Sequence, residues 1–306
     1  MYSLVGYTGF VGSNLTLKHT FDGLYNTKNI SDAFYTRPEL LIYAGLRAEK
    51  FLANNNQQKD YQSIEEAIYN IKKINPQKLV LISTVDVYQN PINVNEDSIM
   101  ETSALLPYGL HRLALEQYVE QYFNDYLIVR LPGLFGKNIK KNFIYDFINY
   151  IPSLLNETKY GELASKSKMI KSVYIKQENG FYKCFCDNKK RSDLKLEFEK
   201  VGFSALNFTD SRGVFQFYNL ANLWQDINIA LEHGIKKINL STEPISIGEI
   251  YQCLTGNVFI NKLTGKPPFY DIRSKYADFY GGKNGYIYGK DDIIQDIKSF
   301  VEKYTK

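Results

Sequence analysis

The chain is poor in the residues that staple, chelate or span. Its 306 residues include only three cysteines, three histidines, three methionines and one tryptophan. Cys184 and Cys186 form a C-x-C and Cys253 stands alone, a spacing that fits neither a zinc site nor a disulfide framework. Reduced thiols, a cytoplasmic protein and no metal centre are the expectation. No apolar run approaches the about 20 residues of a membrane span. No basic segment precedes the apolar start, so no signal peptide is expected either. Charge of one sign is also lacking: 37 Lys and Arg against 33 Asp and Glu leave a formal +4. That excess is too small and too evenly spread to point to nucleic acid. No internal repeat is visible.

What remains is an ordinary globular composition, 44% hydrophobic and 23% charged, with a high aromatic share that includes 25 Tyr. The first half alternates strands with helices. Residues 2–5, 23–29, 40–45, 78–84 and 126–133 read as strands; 11–20, 60–74 and 108–123 read as helices. "KLVLIST" (78–84) is a continuous apolar run of the kind buried on both faces. This alternation predicts an α/β fold with a doubly wound parallel sheet. The rhythm is lost after 136. A hairpin is expected within 171–186, turning at Glu178-Asn179-Gly180, and "KKINLS" (236–241) reads as a strand returning to the sheet. "SIGE" (246–249) is a capping box opening a helix. The predicted division is a first domain of 1–135 plus 214–241 and a smaller one of 136–213 plus 242–306.

Three motifs lie at strand ends. "GYTGFVG" (6–12) carries Gly6, Gly9 and Gly12 three apart between a strand and a helix, where backbone N–H groups can face a phosphate. A plain glycine-rich turn reads the same way. "STVDVY" (83–88) ends a buried strand, where open parallel sheets bind ligands. Thr84 there can equally satisfy a strand-end backbone group, and Asp86 can meet a ligand hydroxyl or a loop donor. "PYGLHRLALE" (107–116) sets Tyr108 and Arg112 one helical turn apart on one face. A fixed cation beside a phenol favours its ionised form.

In that order, and followed by "VRLPGLFG" (129–136), these motifs resemble the extended short-chain dehydrogenase/reductase family, in its nucleotide-sugar branch. The resemblance covers nearly all of 1–136 and implies a Rossmann cofactor domain with a smaller C-terminal substrate domain. The short link before "LLIY" is similar to the GDP-fucose synthase and dTDP-dehydrorhamnose reductase types. The resemblance implies that Tyr108 is the general acid/base, that Thr84 bonds the same substrate oxygen, and that Arg112 stands where the family has Lys. It implies cofactor contacts at Gly6, Thr8, Gly9, Phe10, Val11, Gly12, Ala44, Gly45, Pro132 and Gly133. Strand two ends in "YNTKN" without an acid, so Thr27 and Lys28 favour NADP over NAD. Val85-Asp86 replaces the Asp-Glu of the dehydratases. Phe215 takes the place of a diphosphate-binding arginine, for which Arg212 is the candidate substitute.

The implied activity is an NAD(P)-dependent oxidoreductase of a nucleotide-activated sugar, by 4-keto reduction or epimerisation. Two alternatives stay open: a non-catalytic NAD(P)-binding sensor or partner subunit, and an isomerase with permanently bound NAD. The helix at 108–123 is apolar on two sides. With 60–74 it would form the homodimer interface that the resemblance implies; a helix buried deep within one subunit reads the same way.

Overall fold

The structure, a computed structural model, describes residues 1–305. Six strands form one parallel sheet: β1 (Tyr2–Val5), β2 (Gly23–Tyr25), β3 (Leu40–Tyr43), β4 (Lys78–Thr84), β5 (Tyr126–Leu131) and β6 (Lys237–Asn239). Their spatial order is β6-β5-β4-β3-β1-β2, with every pairing parallel. Only a short 3-10 turn, Ile30–Ala33, joins β2 to β3, the brevity read from the sequence.

Both faces of this sheet are covered, which is why its strands read as unbroken apolar runs. Strand residues alternate between two cores. Leu4, Leu40, Ile42, Val80, Leu127 and Val129 pack with Leu15, Leu223 and Ile227 on one side. Val5, Leu41, Tyr43, Leu79, Leu81 and Ile128 pack on the other side with α3 (Gln57–Ile74) and α4 (Pro107–Tyr122), through Ile64, Ile71, Leu115 and Val119. The fold is therefore the doubly wound α/β type. The first helix, α1 (Phe10–Leu15), is shorter than the 11–20 expected from pattern.

Contacts divide the chain into two units: 1–139 with 214–245 and 269–297, and 140–213 with 246–268 and 298–306. The sequence placed all of 242–306 in the smaller domain. The stretch 269–297 belongs instead with the sheet, because Asp271–Ile272 pairs with the strand Ile92–Val94. The Gln216 side chain also bonds both backbone groups of Ile272, accepting from its N–H and donating to its C=O at 2.8 and 2.7 Å. In the second unit the expected hairpin pairs Tyr174–Lys176 with Tyr182–Cys184, and Gly180 takes φ +81 in its turn. The capping box forms as read: Ser246 and Glu249 satisfy each other's backbone N–H groups.

One fully buried ion pair ties α4 to the sheet. Arg130 of β5 and Glu116 of α4 are both 0% exposed, with Nη2–Oε2 at 2.6 Å and Nε bonded to both carboxylate oxygens at 3.1 Å. Ser83 of β4 donates to Glu116 at 2.5 Å, and Arg130 also donates to the Tyr88 hydroxyl at 2.8 Å. Asn239 of β6 donates to that hydroxyl at 2.9 Å. Removing one buried partner leaves the other charge stranded, at a cost of about 3–5 kcal/mol. Glu116→Gln should therefore lower unfolding stability by about that much, while the paired change Glu116→Gln with Arg130→Met recovers part of it. Urea denaturation midpoints compare the three proteins.

Candidate active site

Every strand from β1 to β5 ends at the same edge of the parallel sheet, and the loops leaving those ends carry the residues singled out in the sequence. Gly6, Thr8, Gly9, Phe10, Val11 and Gly12 follow β1, and Thr27 and Lys28 follow β2. Ala44 and Gly45 follow β3, Thr84 and Asp86 close β4, and Pro132 and Gly133 follow β5. The crevice beyond the carboxyl ends of such strands is where open α/β sheets bind ligands.

Two of the three glycines have no room for a side chain. Gly6 has φ +89, and a Cβ there would collide with the Ala44 carbonyl; a Cβ on Gly12 would collide with the carbonyl of Gly6. Gly12 thus lets α1 sit directly against the turn, and Gly6 lets the turn pass over β3. Gly9 differs. It is exposed, with the Gly6 carbonyl 3.2 Å from the position of a Cβ as its nearest neighbour, so its surface faces outward. The result is a shallow cradle of bare backbone. Gly133 is exposed too, but a Cβ there would lie 2.8 Å from the Gln216 carbonyl, so close strand packing also requires it. Thr27 and Lys28 are exposed in a turn braced by Asn26 and Asn29.

Thr84 and Tyr108 meet. Pro107 opens α4, and a Cβ on Gly109 would strike the Asp86 carbonyl, so glycine lets the first turn of α4 press against the turn after β4. That contact brings the Thr84 side chain within hydrogen-bonding reach of the Tyr108 phenol. The Thr84 hydroxyl oxygen also accepts from the Asp86 N–H at 3.1 Å, which leaves its proton to be donated elsewhere. Tyr108 is 7% exposed.

Arg112 stands beside Tyr108, as its spacing in the sequence led us to expect, but its donors are engaged elsewhere. Its guanidinium carbon lies 4.4 Å from the Tyr108 ring centroid, over the face of the ring. Its Nη1 donates to Asp60 at 2.6 Å and its Nη2 to the Arg47 carbonyl at 2.8 Å. Burial pushes the Tyr108 phenol above its ordinary value; Arg112 pulls it down, Asp86 pushes it up, and Lys50 and Thr84 pull it down. Burial wins. The balance therefore runs against the expected shift toward an ionised phenol and favours the protonated form. At 4% exposure, Arg112 also presents little surface to a ribose diol.

Three residues of the site were invisible in the sequence. Lys50, from the short helix α2 (Lys50–Asn55), forms an ion pair with Asp86 at 2.6 Å and bonds the Tyr270 phenol. The Tyr270 ring stacks on Phe215, centroids 5.7 Å apart. Asp60 accepts from Arg112 and also lies 2.8 Å from His111 Nδ1. No short-range signal marks any of them, because each contact joins residues tens of positions apart.

Arg212 lies in the second unit, and its fork holds Asp210 at 2.6 and 2.9 Å while Nη2 donates to the Leu263 carbonyl at 3.0 Å. That pairing keeps the Asp210 carboxyl well below its usual range. The fork is thus engaged within its own unit. The two-sided apolar pattern of α4 is also met within the chain. Leu115 and Val119 enter the sheet core, while Leu113 packs with Val85, Val87 and Ile272. The pattern alone therefore does not require a second copy.

Residues 26–169 match the model of the NAD dependent epimerase/dehydratase family. No curated protein sequence matches the chain. Among solved structures, RMD from Pseudomonas aeruginosa complexed with NADPH is similar over 99% of this chain and 98% of that one, at 14% identity and TM-score 0.64. A dTDP-4-dehydrorhamnose reductase from Bacillus anthracis str. Ames in complex with NADP matches over 99% and 97%, at 16% identity and TM-score 0.63. A UDP-N-acetylglucosamine 4-epimerase from Methanobrevibacter ruminantium M1 matches over 98% and 96%, at 12% identity and TM-score 0.61. At these identities the likeness is one of fold.

Replacing Arg112 by Lys keeps a charge beside Asp60 but gives up the bond from Nη2 to the Arg47 carbonyl. One buried hydrogen bond to a charged donor is worth about 1–3 kcal/mol. Arg112→Lys should lower the melting stability by about that amount, read by thermal unfolding.

Proposed function

We propose that this chain, which matches the model of the NAD dependent epimerase/dehydratase family over residues 26–169, is an NAD(P)-dependent oxidoreductase acting on a nucleotide-activated sugar. The observation that carries the reading is the Thr84–Tyr108 pair at the end of β4, on the same sheet edge as the glycine cradle. The cradle fits a dinucleotide: Gly6 and Gly12 let the turn and α1 pack closely, and the outward-facing bare backbone at Gly9 allows a pyrophosphate to approach. Lys28, with no acid at the end of β2, supports NADP over NAD. The Pseudomonas and Bacillus structures, solved with NADPH and NADP, favour the same choice.

When bound, the nicotinamide supplies or accepts hydride at the sugar carbon. The protein's own residues handle the oxygen. Thr84 donates its hydroxyl proton as a hydrogen bond to the carbonyl oxygen and orients it. Tyr108 gives its phenolic proton to that oxygen as the carbon takes hydride, leaving a hydroxyl on the sugar and a tyrosinate that water reprotonates. A buried, protonated Tyr108 suits the reductive direction, in which the phenol gives up its proton. Asp86, engaged by Lys50, remains near enough to the pair to meet a sugar hydroxyl.

The remaining assignments follow from the same reading. The sheet unit would hold the cofactor, the second unit the nucleotide sugar. Three free thiols support a reducing cytoplasmic setting. No helix among the described residues is long and apolar enough to cross a membrane. A homodimer through α3 and α4 is supported by the apolar surface they leave exposed at Tyr61, Tyr69, Leu110 and Tyr122.

Tyr108→Phe should lower kcat by about 10²–10⁴-fold while NADPH affinity, read by fluorescence titration, stays within experimental scatter. Retained turnover would remove Tyr108 from the mechanism. Light scattering should return twice the monomer mass. A monomer that Tyr61→Glu leaves unchanged would end the dimer assignment.

A further inference from the structure

Asp86 is an awkward neighbour for the chemistry just described. It sits two residues beyond Thr84, and a carboxylate there opposes negative charge on Tyr108 or on the substrate oxygen. Arg112 favours the ionised phenol from its place over the ring, but its donors hold Asp60 and the Arg47 carbonyl rather than Asp86. Lys50 pairs with Asp86 directly. Its ammonium lies 2.6 Å from Asp86 Oδ1 and bonds the Tyr270 phenol, while its side chain keeps 42% of its surface exposed. Three contacts fix the segment that carries it against α4 and the turn after β4. They are the Arg47 carbonyl to Arg112 at 2.8 Å, Lys50 to Asp86, and the Asn54 side chain, which accepts from the Tyr108 N–H at 3.0 Å.

Resting on the oxidoreductase reading above, we infer that Lys50 is a charge-compensating residue of the active centre, a positioning residue that neutralises Asp86 so that Thr84 and Tyr108 work in a field that tolerates a developing oxyanion. The groups that face Tyr108 are Arg112 from its own helix, Thr84 and Asp86 from the β4 turn, and Lys50 from α2. Asp60 and His111 lie behind Arg112. Lys50 is itself faced by Asp86 and Tyr270. Burial works against its charge, yet Asp86 and Tyr270 more than restore it, so the ammonium persists at neutral pH. Positive charge near the phenol thus comes from two elements, and Arg112 is also the clasp that holds the second of them in place.

The test is a double-mutant cycle on the whole protein, with NADPH and a 4-keto nucleotide sugar such as dTDP-4-dehydrorhamnose as probes. Lys50→Met should lower kcat by about 10–100-fold and leave the affinity for NADPH unchanged. It should also move the alkaline limb of the reduction profile to higher pH, since an uncompensated Asp86 makes Tyr108 hold its proton more tightly. In the Asp86→Asn background the same Lys50→Met change should cost little. A Lys50→Met protein with the wild-type rate and pH profile overturns this inference alone, as does a penalty of equal size in both backgrounds, which would signal a purely structural lysine. Wild-type protein that binds NADPH but reduces no 4-keto sugar of any nucleotide overturns the parent reading, and this inference with it.

Discussion

A salt bridge with no access to water, Glu116 to Arg130, fixes the geometry on which the site depends. It joins α4 to β5, Ser83 extends it to β4, and Tyr88 and Asn239 extend it to the turn after β4 and to β6. Such a pair contributes little net stability over a well-packed apolar substitute. Its value lies in direction, because a bidentate guanidinium tolerates only one orientation of the carboxylate it holds. With Glu116 fixed, the helix cannot slide, and Tyr108, two turns earlier, arrives beside Thr84. Gly109 completes the arrangement by letting the helix start lie flat on the Asp86 carbonyl.

The polar connections around the site fall into two groups with different jobs. The buried group built on Glu116 orients α4. The half-exposed group built on Lys50, Asp86 and Tyr270 sets the charge balance beside the Thr84–Tyr108 pair. Arg112 belongs to neither. Its guanidinium sits over the Tyr108 ring and donates to the Arg47 carbonyl in the segment from which Lys50 projects. A longer, forked side chain at 112 therefore suits a chain whose loop must be pinned.

Much of the fold and part of the site were legible in the sequence, for physical reasons. Gly6 and Gly12 announce themselves because a backbone collision leaves no alternative residue. The strands of the sheet are legible because burial on both faces erases alternation. Thr84 and Tyr108 were found through the order of local motifs. Lys50, Asp60 and Tyr270 were not, since each acquires meaning only from a partner brought close by folding: Asp60 lies 52 positions from Arg112, and Lys50 36 positions from Asp86. The same limit explains the misplacement of 269–297, whose single short strand and Gln216 stitches carry no pattern of their own. Charge near a phenol was read correctly as a force on its proton, but the opposing effect of burial cannot be weighed without coordinates.

The outermost strands of the sheet, β2 and β6, are three residues each. A flank that short offers too few unpaired backbone groups for a neighbouring molecule to extend the ladder. On the β6 side, Lys237 forms an ion pair with Glu120 of α4, placing charge where a foreign strand would dock. Lateral growth of the sheet into fibres is thereby discouraged at both margins, and self-association is left to the helical faces.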